Sequence, residues 1–405
     1  MKLTVVIPTY WGRPTPEVWK EGDAVYAHPI PMNSNGKALV KTVESFNKVN
    51  NLDFNLVVVA SATAKEIEEE VEQKIKGILN NLNLKFPLYF VSHSHIQNIT
   101  SSCSSLQSEC KQFVSLSGYS NIKNSTLMIA EIMDSDVVTF VDDDEYVNDP
   151  EFIDKILKFI GKDHIGKQVY GVSGYYVYDD GSYKLKEDIV PWMTYWNRVK
   201  WMNKTFDGII GSEPRLKETP FVFGGCMTLH KHLFRKIPFD PRLNRGEEFD
   251  YLLNALMFGY SFYLDNQLYV RHEPPPVTYP AWMQIREDIY TFVYLQSKLR
   301  SQQDRPNMRR LYAEDFDPYP GFFLQKRLLD FVYKSNMMLS NSYLIENDAS
   351  SAGECLRNIH LAESEAVPHQ NPFLALIEDQ VNWESLMEKV GDHKKDLLAF
   401  IEKIK

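Results

Sequence analysis

The sequence predicts an α/β fold, in which a doubly wound, mostly parallel sheet is followed by an α-helical C-terminal subdomain. In the first half, short apolar runs alternate with longer amphipathic stretches, the pattern of a parallel sheet covered on both faces. After residue 280 the apolar residues keep helical spacing. The run Pro274-Pro275-Pro276 breaks the chain between the two regions. We therefore expect one domain over residues 1–280 and a helical subdomain over residues 281–405.

The elements of the first half follow from the period of their apolar residues. The strands are short runs rich in β-branched residues, and they are expected at 3–7, 56–60, 88–91 and 137–141. Pro8 is expected to end the first strand. The helices carry apolar residues on one face and are expected at 37–49, 64–82 and 124–133. An aromatic-rich strand is expected at 169–178. Ligands of such sheets bind at the carboxyl ends of the strands, so a site is expected there.

Two long segments interrupt the alternation. Residues 11–35 are rich in Pro, Gly and Trp and follow the first strand, where a loop of that length is more often functional than idle. Residues 92–120 are rich in Ser and are expected to form a surface loop, with a mobile flap as the alternative.

The tail is expected to be entirely helical. Its helices are expected at 282–299, 322–339, 352–366 and 374–404. Their amphipathic faces are expected to drive homo-oligomerisation, or to pack on the core or on a membrane surface.

Composition narrows the class of protein. The 405 residues carry a formal net charge of −10, which argues against a general nucleic-acid-binding protein because such proteins need a basic face. Four cysteines are too few for a disulfide scaffold. The N-terminal apolar run is too short for a signal peptide, and no stretch approaches the length of a membrane span. We expect a soluble, cytoplasmic protein.

An acidic run after the fourth strand is the sharpest chemical feature. Asp142-Asp143-Asp144-Glu145 follows the apolar residues 137–141. In an extended chain Asp142 and Asp144 point to the same side, where their charges repel unless a cation lies between them. Carboxylates of this kind, together with substrate phosphates, are the ligands that Mg²⁺ and Mn²⁺ prefer. The alternative is a solvated acidic turn.

With this motif the chain resembles the glycosyltransferases of the GT-A fold, near the family 2 type. The acidic run resembles their Asp-x-Asp motif, and Val5-Val6-Ile7-Pro8-Thr9-Tyr10 resembles their opening strand. Lys123-Asn124 stands where the family often has Arg-Asn, Phe223-Gly224-Gly225-Cys226 resembles the Gly-Gly turn of the sugar pocket, and Arg245 to Asp250 resembles the acidic helix start. The motifs span about residues 1–275 in the family's order. The plan with a helical tail is similar to the retaining mannosylglycerate and glucosyl-phosphoglycerate synthases.

The resemblance implies a metal-dependent transfer of a hexose from a nucleotide-diphosphate sugar to a hydroxyl-bearing small molecule or glycan. It assigns the divalent cation, Mn²⁺ or Mg²⁺, to Asp142, Asp144 and His272. It assigns the nucleotide sugar to Pro8, Thr9, Tyr10, Lys123, Asp142, Gly224 and Gly225. It assigns catalysis or positioning of the sugar and acceptor to Glu247, Glu248 and Asp250, although acids at a helix start are also favoured by the helix dipole.

Departures from the family pattern leave alternatives open. Residues 57–62 lack the Asp that contacts the base in family 2 enzymes, so the choice between UDP and GDP stays open. A catalytically silent sugar-nucleotide-binding or glycan-binding protein therefore remains an alternative. A nucleotidyltransferase is a weaker one, because the Gly-x-Gly-x-Arg loop it needs after the first strand is absent.

Three further groups of residues are weaker candidates. The aromatic residues Trp192, Tyr195, Trp196 and Trp201 are expected either to form an acceptor platform or to pack in the core. Arg13, His28 and Lys37 are possible phosphate contacts, with surface charge as the better alternative for each of them. Arg271, next to His272, is a second possible phosphate contact.

Overall fold

A computed structural model describes residues 1–15, 23–102, 104–186, 189–275 and 280–404. The strands are β1 (Leu3–Gly12), β2 (Ile30–Pro31), β3 (Phe54–Ala62), β4 (Leu88–Val91), β5 (Val137–Phe140), β6 (Glu145–Tyr146), β7 (Asp163–His164), β8 (Lys167–Gln168), β9 (Gly171–Val177), β10 (Leu216–Glu218), β11 (Met227–His230), β12 (Phe262–His272) and β13 (Glu402–Lys403).

The helices alternate with these strands and then fill the tail. They are α1 (Lys37–Ser45), α2 (Glu68–Leu79), α3 (His93–Ser102), α4 (Ser104–Phe113), α5 (Tyr119–Ile132), α6 (Phe152–Phe159), α7 (Met193–Trp196), α8 (Arg198–Ile209), α9 (Lys231–Phe234), α10 (Glu247–Met257), α11 (Ala281–Ser301), α12 (Gly321–Leu324), α13 (Leu328–Ile345), α14 (Ala349–Glu363) and α15 (Pro372–Leu397). Within the described ranges, no helix is both long and apolar enough to span a bilayer.

The predicted α/β fold is confirmed. In the described residues the main sheet has 11 strands, nine of them in the order β10-β12-β9-β11-β5-β1-β3-β4-β13. Strands β5, β1, β3 and β4 run parallel, whereas β11 lies antiparallel between β5 and β9. Every residue of β1 is buried, as expected for a central strand with both faces covered.

Pro8 does not end the first strand, contrary to the prediction. Val6 accepts a hydrogen bond from the N–H of Val141 on the β5 side, and alternate residues of a parallel strand face the same neighbour. Pro8 therefore faces the β5 side, beyond Val6 and Phe140, the last paired residues of β1 and β5. No hydrogen bond between the two strands is formed at this position, so the N–H that proline lacks is not required there. The strand continues to Gly12 along β3.

The loop prediction for residues 92–120 is also wrong. Helices α3 and α4 occupy most of this segment, and Ile99, Leu106 and Phe113 bury their side chains in the core. Of the serines that suggested a loop, Ser101, Ser102 and Ser108 are exposed, and the Ser101 hydroxyl donates a hydrogen bond to the carbonyl oxygen of Gln97 at 2.7 Å.

The tail is helical as predicted, but its last residues return to the sheet. Trp383 of α15 is buried, donates a hydrogen bond to the carbonyl oxygen of Phe234 at 2.8 Å and packs against Phe113. Beyond α15, Glu402 and Lys403 pair antiparallel with β4. The division into domains at residue 280 stays a prediction.

Candidate active site

A cleft opens at the carboxyl ends of β1 and β5, the position that the topology favours for a ligand. Its volume is about 320 Å³. Strand ends supply Tyr10 and the acidic run, α5 supplies Lys123, and α10 supplies its first acids. Helices α8 and α11 form the opposite wall.

All three aspartates of the acidic run line the cleft, and one of them also anchors the run. The carboxylate of Asp143 accepts a hydrogen bond from the Thr9 hydroxyl at 2.5 Å, and the Asp143 carbonyl accepts one from Thr42 at 3.0 Å. Thr9 is fully buried and also accepts a hydrogen bond from the Trp11 indole N–H. The structure thus places Thr9 beneath the motif.

Pro8 and Thr9 do not line the cleft, whereas Tyr10 does. We therefore withdraw Pro8 and Thr9 as direct nucleotide contacts and assign Thr9 a supporting role under Asp143. Successive side chains of a strand point to opposite faces, so Thr9 and Tyr10 lie on opposite faces of β1. Tyr10 lies further than Pro8 beyond Val6, the last residue of β1 that pairs with β5.

The pairing of β6 with β12 brings His272 beside Asp144. His272 lies opposite Glu145 in the register, and its Nε2 is 3.6 Å from Asp144 Oδ2. His272 Nδ1 and Glu145 Oε1 are buried and have no hydrogen-bond partner among the described residues. Burial, with the charge of Asp144 adding to it, raises the pKa of Asp142 to about 6.

The donor atoms of Asp142, Asp144 and His272 are of the kinds that bind a divalent cation. Carboxylate oxygens and an imidazole nitrogen suit Mn²⁺ or Mg²⁺. The buried Glu145 Oε1 and His272 Nδ1, which have no hydrogen-bond partner among the described residues, indicate that a ligand is needed at this position. In the described part of the chain, however, no group of three or more His, Cys, Asp or Glu side chains is arranged to hold a metal by itself. Such ions commonly complete their coordination with substrate oxygens and water.

The Gly-Gly turn is needed for close packing under the acids. Gly224 lines the cleft, but Gly225 does not. A Cβ on Gly225 would overlap the carboxylates of Glu145 and Asp142. The Gly225 N–H donates to the Tyr176 hydroxyl at 2.8 Å, and the Tyr176 ring lies 4.7 Å from that of His272. Gly225 therefore supports the acidic cluster, and we withdraw it as a direct sugar contact.

A buried cation joins the two acidic sides of the cleft. Lys123 Nζ is 2.9 Å from Glu247 Oε1 at the start of α10. Burial acts to lower the pKa of Lys123, but Glu247, Glu248 and Asp142 outweigh it, so the pKa is raised and the ammonium stays charged. Glu248 lines the cleft, and burial together with Glu247 raises its pKa to about 8.

Asp250 is not brought to the cleft. It is fully buried and pairs with Lys298 of α11, and it accepts a hydrogen bond from Asn254 at 2.7 Å. Residues two apart on a helix lie about 200° apart around its axis, so Asp250 and Glu248 point in opposite directions. We therefore remove Asp250 from the candidate catalytic residues.

The structure adds cleft residues that the sequence analysis missed or placed lower. Burial lowers the pKa of His28, although Asp144 acts to raise it. Arg198 forms an ion pair with Asp288 at 2.5 Å, and Tyr319 lies beside them. The Arg245 guanidinium makes no hydrogen bond or ion pair with any residue that the structure describes. Long-range packing brings these side chains together, and no local pattern marks them.

The aromatic platform and Arg271 are not part of the cleft lining. Trp196 is buried against Phe292 and Phe323, and Trp201 stacks on Phe322 outside the cleft. Arg271 donates a hydrogen bond to the carbonyl oxygen of Tyr178.

Comparisons with known proteins find similarity in solved structures only. No family model matches the chain, and no curated protein does. A mannosyltransferase from Pyrobaculum calidifontis, solved with GDP-Man and Mn²⁺, is similar at 13% identity and a TM-score of 0.45 over 96% of this chain and 86% of that one. The 1-349 fragment of TarS from S. aureus is similar at 13% identity and a TM-score of 0.43, over 98% and 92%.

Glucosyl-3-phosphoglycerate synthase from Mycobacterium tuberculosis, solved with Mn²⁺ and UDP-Glc, is similar at 13% identity and a TM-score of 0.38, over 76% of this chain and 86% of that one. The chain is thus similar to glycosyltransferases, the class that its motifs resemble.

Proposed function

We propose that the protein is a metal-dependent glycosyltransferase, which moves a hexose from a nucleotide-diphosphate sugar to a hydroxyl-bearing small molecule or glycan. The observation that carries the proposal is the cleft at the carboxyl ends of the parallel strands. It gathers Asp142, Asp144 and His272 on one side and Glu248 on the other, with the charged Lys123 between them.

Asp142, Asp144 and His272 would hold Mn²⁺ or Mg²⁺, which would neutralise the diphosphate and stabilise its charge as a leaving group. Lys123 remains protonated in its buried ion pair and places a fixed positive charge in the same cleft. Tyr10, which lines the cleft near the end of β1, would contact the nucleotide. Gly224 lets the backbone approach the sugar closely.

The transfer breaks the bond between the anomeric carbon and the β-phosphate oxygen and forms a bond from the acceptor oxygen to that carbon. The acceptor proton passes either to a cleft carboxylate or to the departing diphosphate. Glu248, with a pKa of about 8, is mainly protonated at neutral pH and donates a hydrogen bond to a sugar hydroxyl. The anomeric configuration of the product distinguishes the two proton routes.

One observation favours a binding protein without turnover as the second candidate. The end of β3, where family 2 enzymes place a base-contacting Asp, carries Ser61. Its hydroxyl is 2.9 Å from the Tyr26 hydroxyl and donates to the carbonyl oxygen of Leu116. Tyr26 packs against Tyr10 and Tyr119, so an aromatic cluster stands where that contact is expected.

We also propose a cytoplasmic location. The support is that Cys226 and Cys355 are buried thiols outside any disulfide, as expected in a reducing compartment.

The test is a thermal-shift panel of UDP, GDP, CDP and dTDP and their sugars, with and without Mn²⁺ or Mg²⁺, followed by acceptor assays. A ligand at about 100 times its dissociation constant adds about 2.7 kcal/mol of stability, enough to shift Tm by several degrees. We expect a metal-dependent shift with one base, which is lost in Asp144→Ala and retained in the surface control Asp53→Ala. No shift with any nucleotide in a folded sample would refute the proposal. A shift without turnover in an acceptor screen would favour the binding protein.

A further inference from the structure

We propose that Glu145 is a positioning residue for the metal ion. Its Oε1 accepts a hydrogen bond from His272 Nδ1, and this bond directs Nε2 of the same ring towards the ion. The inference rests on the proposed metal-dependent function. It concerns a residue that does not line the cleft and to which the sequence pattern assigns no role of its own.

The two ring nitrogens of His272 have different surroundings. Nε2 is 3.6 Å from Asp144 Oδ2 and faces the proposed ion. Nδ1 is buried and has no hydrogen-bond partner among the described residues. An ion bound at Nε2 needs the lone pair of that nitrogen, so the proton of the neutral imidazole must be on Nδ1. Because buried N–H groups are rarely left unpaired, Nδ1 then requires an acceptor.

Glu145 is placed to supply that acceptor. Its Oε1 is also buried and also has no hydrogen-bond partner in the described part of the chain. His272 and Glu145 are opposite each other in the antiparallel pair of β12 and β6, so their side chains leave the same face of the sheet. Residues paired in this way have Cβ atoms about 4.5–5.5 Å apart. Rotation of the side-chain torsions is therefore sufficient to join Oε1 and Nδ1.

The surroundings of the imidazole favour Glu145 over other acceptors. The ring centroids of Tyr176 and Tyr178 are 4.7 and 5.7 Å from that of His272. The Tyr176 hydroxyl already accepts a hydrogen bond from the Gly225 N–H at 2.8 Å. The other buried side-chain oxygens without a partner in the described residues belong to helices α5 and α10, not to the strand that pairs with β12.

The second oxygen of Glu145 is bound to another of the proposed metal ligands. Oε2 accepts a hydrogen bond from the Asp142 N–H at 3.0 Å. The carboxylate packs so closely on Gly225 that a Cβ there would overlap both of its oxygens. One carboxylate thus connects the backbone of Asp142 with the side chain of His272. Carboxylates in this role fix the orientation and the tautomer of a metal-binding histidine, and their loss costs about 10–100-fold in metal affinity.

The informative substitution is Glu145→Gln, because it replaces one carboxylate oxygen by an amide NH₂ at nearly constant volume. If the new carbonyl keeps the hydrogen bond from the Asp142 N–H, the NH₂ faces Nδ1 of His272. A donor at that position places the imidazole proton on Nε2, where it blocks the ion. The reverse orientation of the amide places its NH₂ against the Asp142 N–H, so either orientation weakens the metal site.

The test is titration of Mn²⁺ into the full chain in the presence of UDP and, separately, of GDP, with free Mn²⁺ followed by electron paramagnetic resonance. We expect Glu145→Gln to bind Mn²⁺ about 10–100-fold more weakly than the wild type. The matched control is Glu131→Gln, which changes another buried carboxylate, 3.6 Å from Arg235, and should bind like the wild type. Thermal melts establish that each variant is folded.

The outcomes separate this inference from the function on which it rests. Equal Mn²⁺ affinity in the wild type and Glu145→Gln would overturn the inference alone. No Mn²⁺ binding by the folded wild type would overturn the proposed function with it. In a His272→Gln background, adding Glu145→Gln should weaken binding by less than about twofold more, because both changes act through one ring. A further loss as large as in the wild-type background would show that Glu145 does not act through His272.

A spectroscopic measurement tests the hydrogen bond without any substitution of Glu145. In the wild type labelled with ¹⁵N-histidine and loaded with Mg²⁺ and the same nucleotide, the ring signals that disappear in His272→Gln identify His272. We expect its proton on Nδ1, in slow exchange with water because the atom is buried. A proton on Nε2 in the loaded wild type would overturn the inference, even if Glu145→Gln failed to fold.

Discussion

Two groups of buried charged side chains lie on opposite sides of helix α10, and they differ in how their charges are compensated. On the cleft side, Glu145 Oε1 and His272 Nδ1 have no hydrogen-bond partner in the described residues. On the tail side, Lys298 is fully buried and contacts Asp250, Asp240 at 3.0 Å and Asn254 at 3.2 Å.

The tail-side group is compensated throughout. Tyr294 donates a hydrogen bond to Asp240 at 2.6 Å, and Arg242 pairs with Asp240 at 3.0 Å. Burial acts to lower the pKa of Lys298, but Asp250 and Asp240 outweigh it and raise the pKa. A compensated network of this kind fixes one helix against another. The cleft-side group is left incomplete, and a ligand is what would complete it.

The largest effect on stability is expected from Lys298→Met. Removing the cation leaves Asp240 and Asp250 buried without compensation, so the free energy of unfolding should fall by about 3–5 kcal/mol. Urea unfolding followed by tryptophan fluorescence measures the loss.

A matched control is Lys394→Met, which removes a cation from the exposed pair with Asp134 and should change stability by less than about 1 kcal/mol. Adding Asp250→Asn to Lys298→Met should recover part of the loss, because one buried charge disappears with it. Equal effects of Lys298→Met and Lys394→Met would contradict the role given to the network.

Gly225→Ala is expected to have an intermediate effect. The new methyl group overlaps the carboxylates of Glu145 and Asp142, so we expect a loss of about 1–3 kcal/mol and a weaker metal-dependent response to nucleotides. Gly77→Ala on α2 is the matched control, since nothing lies within 4 Å of the added atom. It should stabilise the chain by about 0.5–1 kcal/mol. A Gly225→Ala variant as stable as Gly77→Ala would show that the turn is not tightly packed.

Glu248→Gln should change the binding of a nucleotide sugar least. The pKa of Glu248 is raised from 4.5 to about 8, so at neutral pH its side chain is mainly a neutral hydrogen-bond donor, and Gln is one as well. We expect affinity at neutral pH to stay within about threefold, which calorimetric titration can establish. A loss of tenfold or more would mean that the ionised form acts in binding.

The same substitution changes how stability depends on pH. A carboxyl group whose folded pKa is raised binds more protons when folded, so wild-type stability falls as pH rises from about 4.5 towards 8. Glu248→Gln should therefore match the wild type below pH 4.5 and become relatively more stable up to about pH 8. Parallel stability curves across this range would contradict the raised pKa.

The local sequence pattern predicted the acids that follow β5, but not the cleft residues that α8, α11 and the tail contribute. Asp142 and Asp144 were found because they follow a strand whose apolar run is visible in the sequence, whereas Lys123 was found through the family resemblance. Arg198, Asp288 and Tyr319 meet only through the packing of the tail against α8, which no local pattern encodes. Asp250 is different, because helical geometry alone separates it from Glu248 once the helix is recognised.

The errors in the fold also have physical causes. Composition alone suggested a loop at residues 92–120, but the buried Ile99, Leu106 and Phe113 show that apolar spacing was the better guide. Pro8 stops a strand only where its missing N–H faces a neighbour, and that depends on register.

The most direct measurement is titration of nucleoside diphosphates, with and without Mn²⁺, into the wild type, Asp144→Asn and Asp250→Asn, with thermal melts to show that each is folded. The account predicts metal-dependent binding in the wild type and in Asp250→Asn, and its loss in Asp144→Asn. Equal binding by both variants, or no metal-dependent binding by the folded wild type, would contradict the proposal that the acidic group on the cleft side binds the metal and the nucleotide.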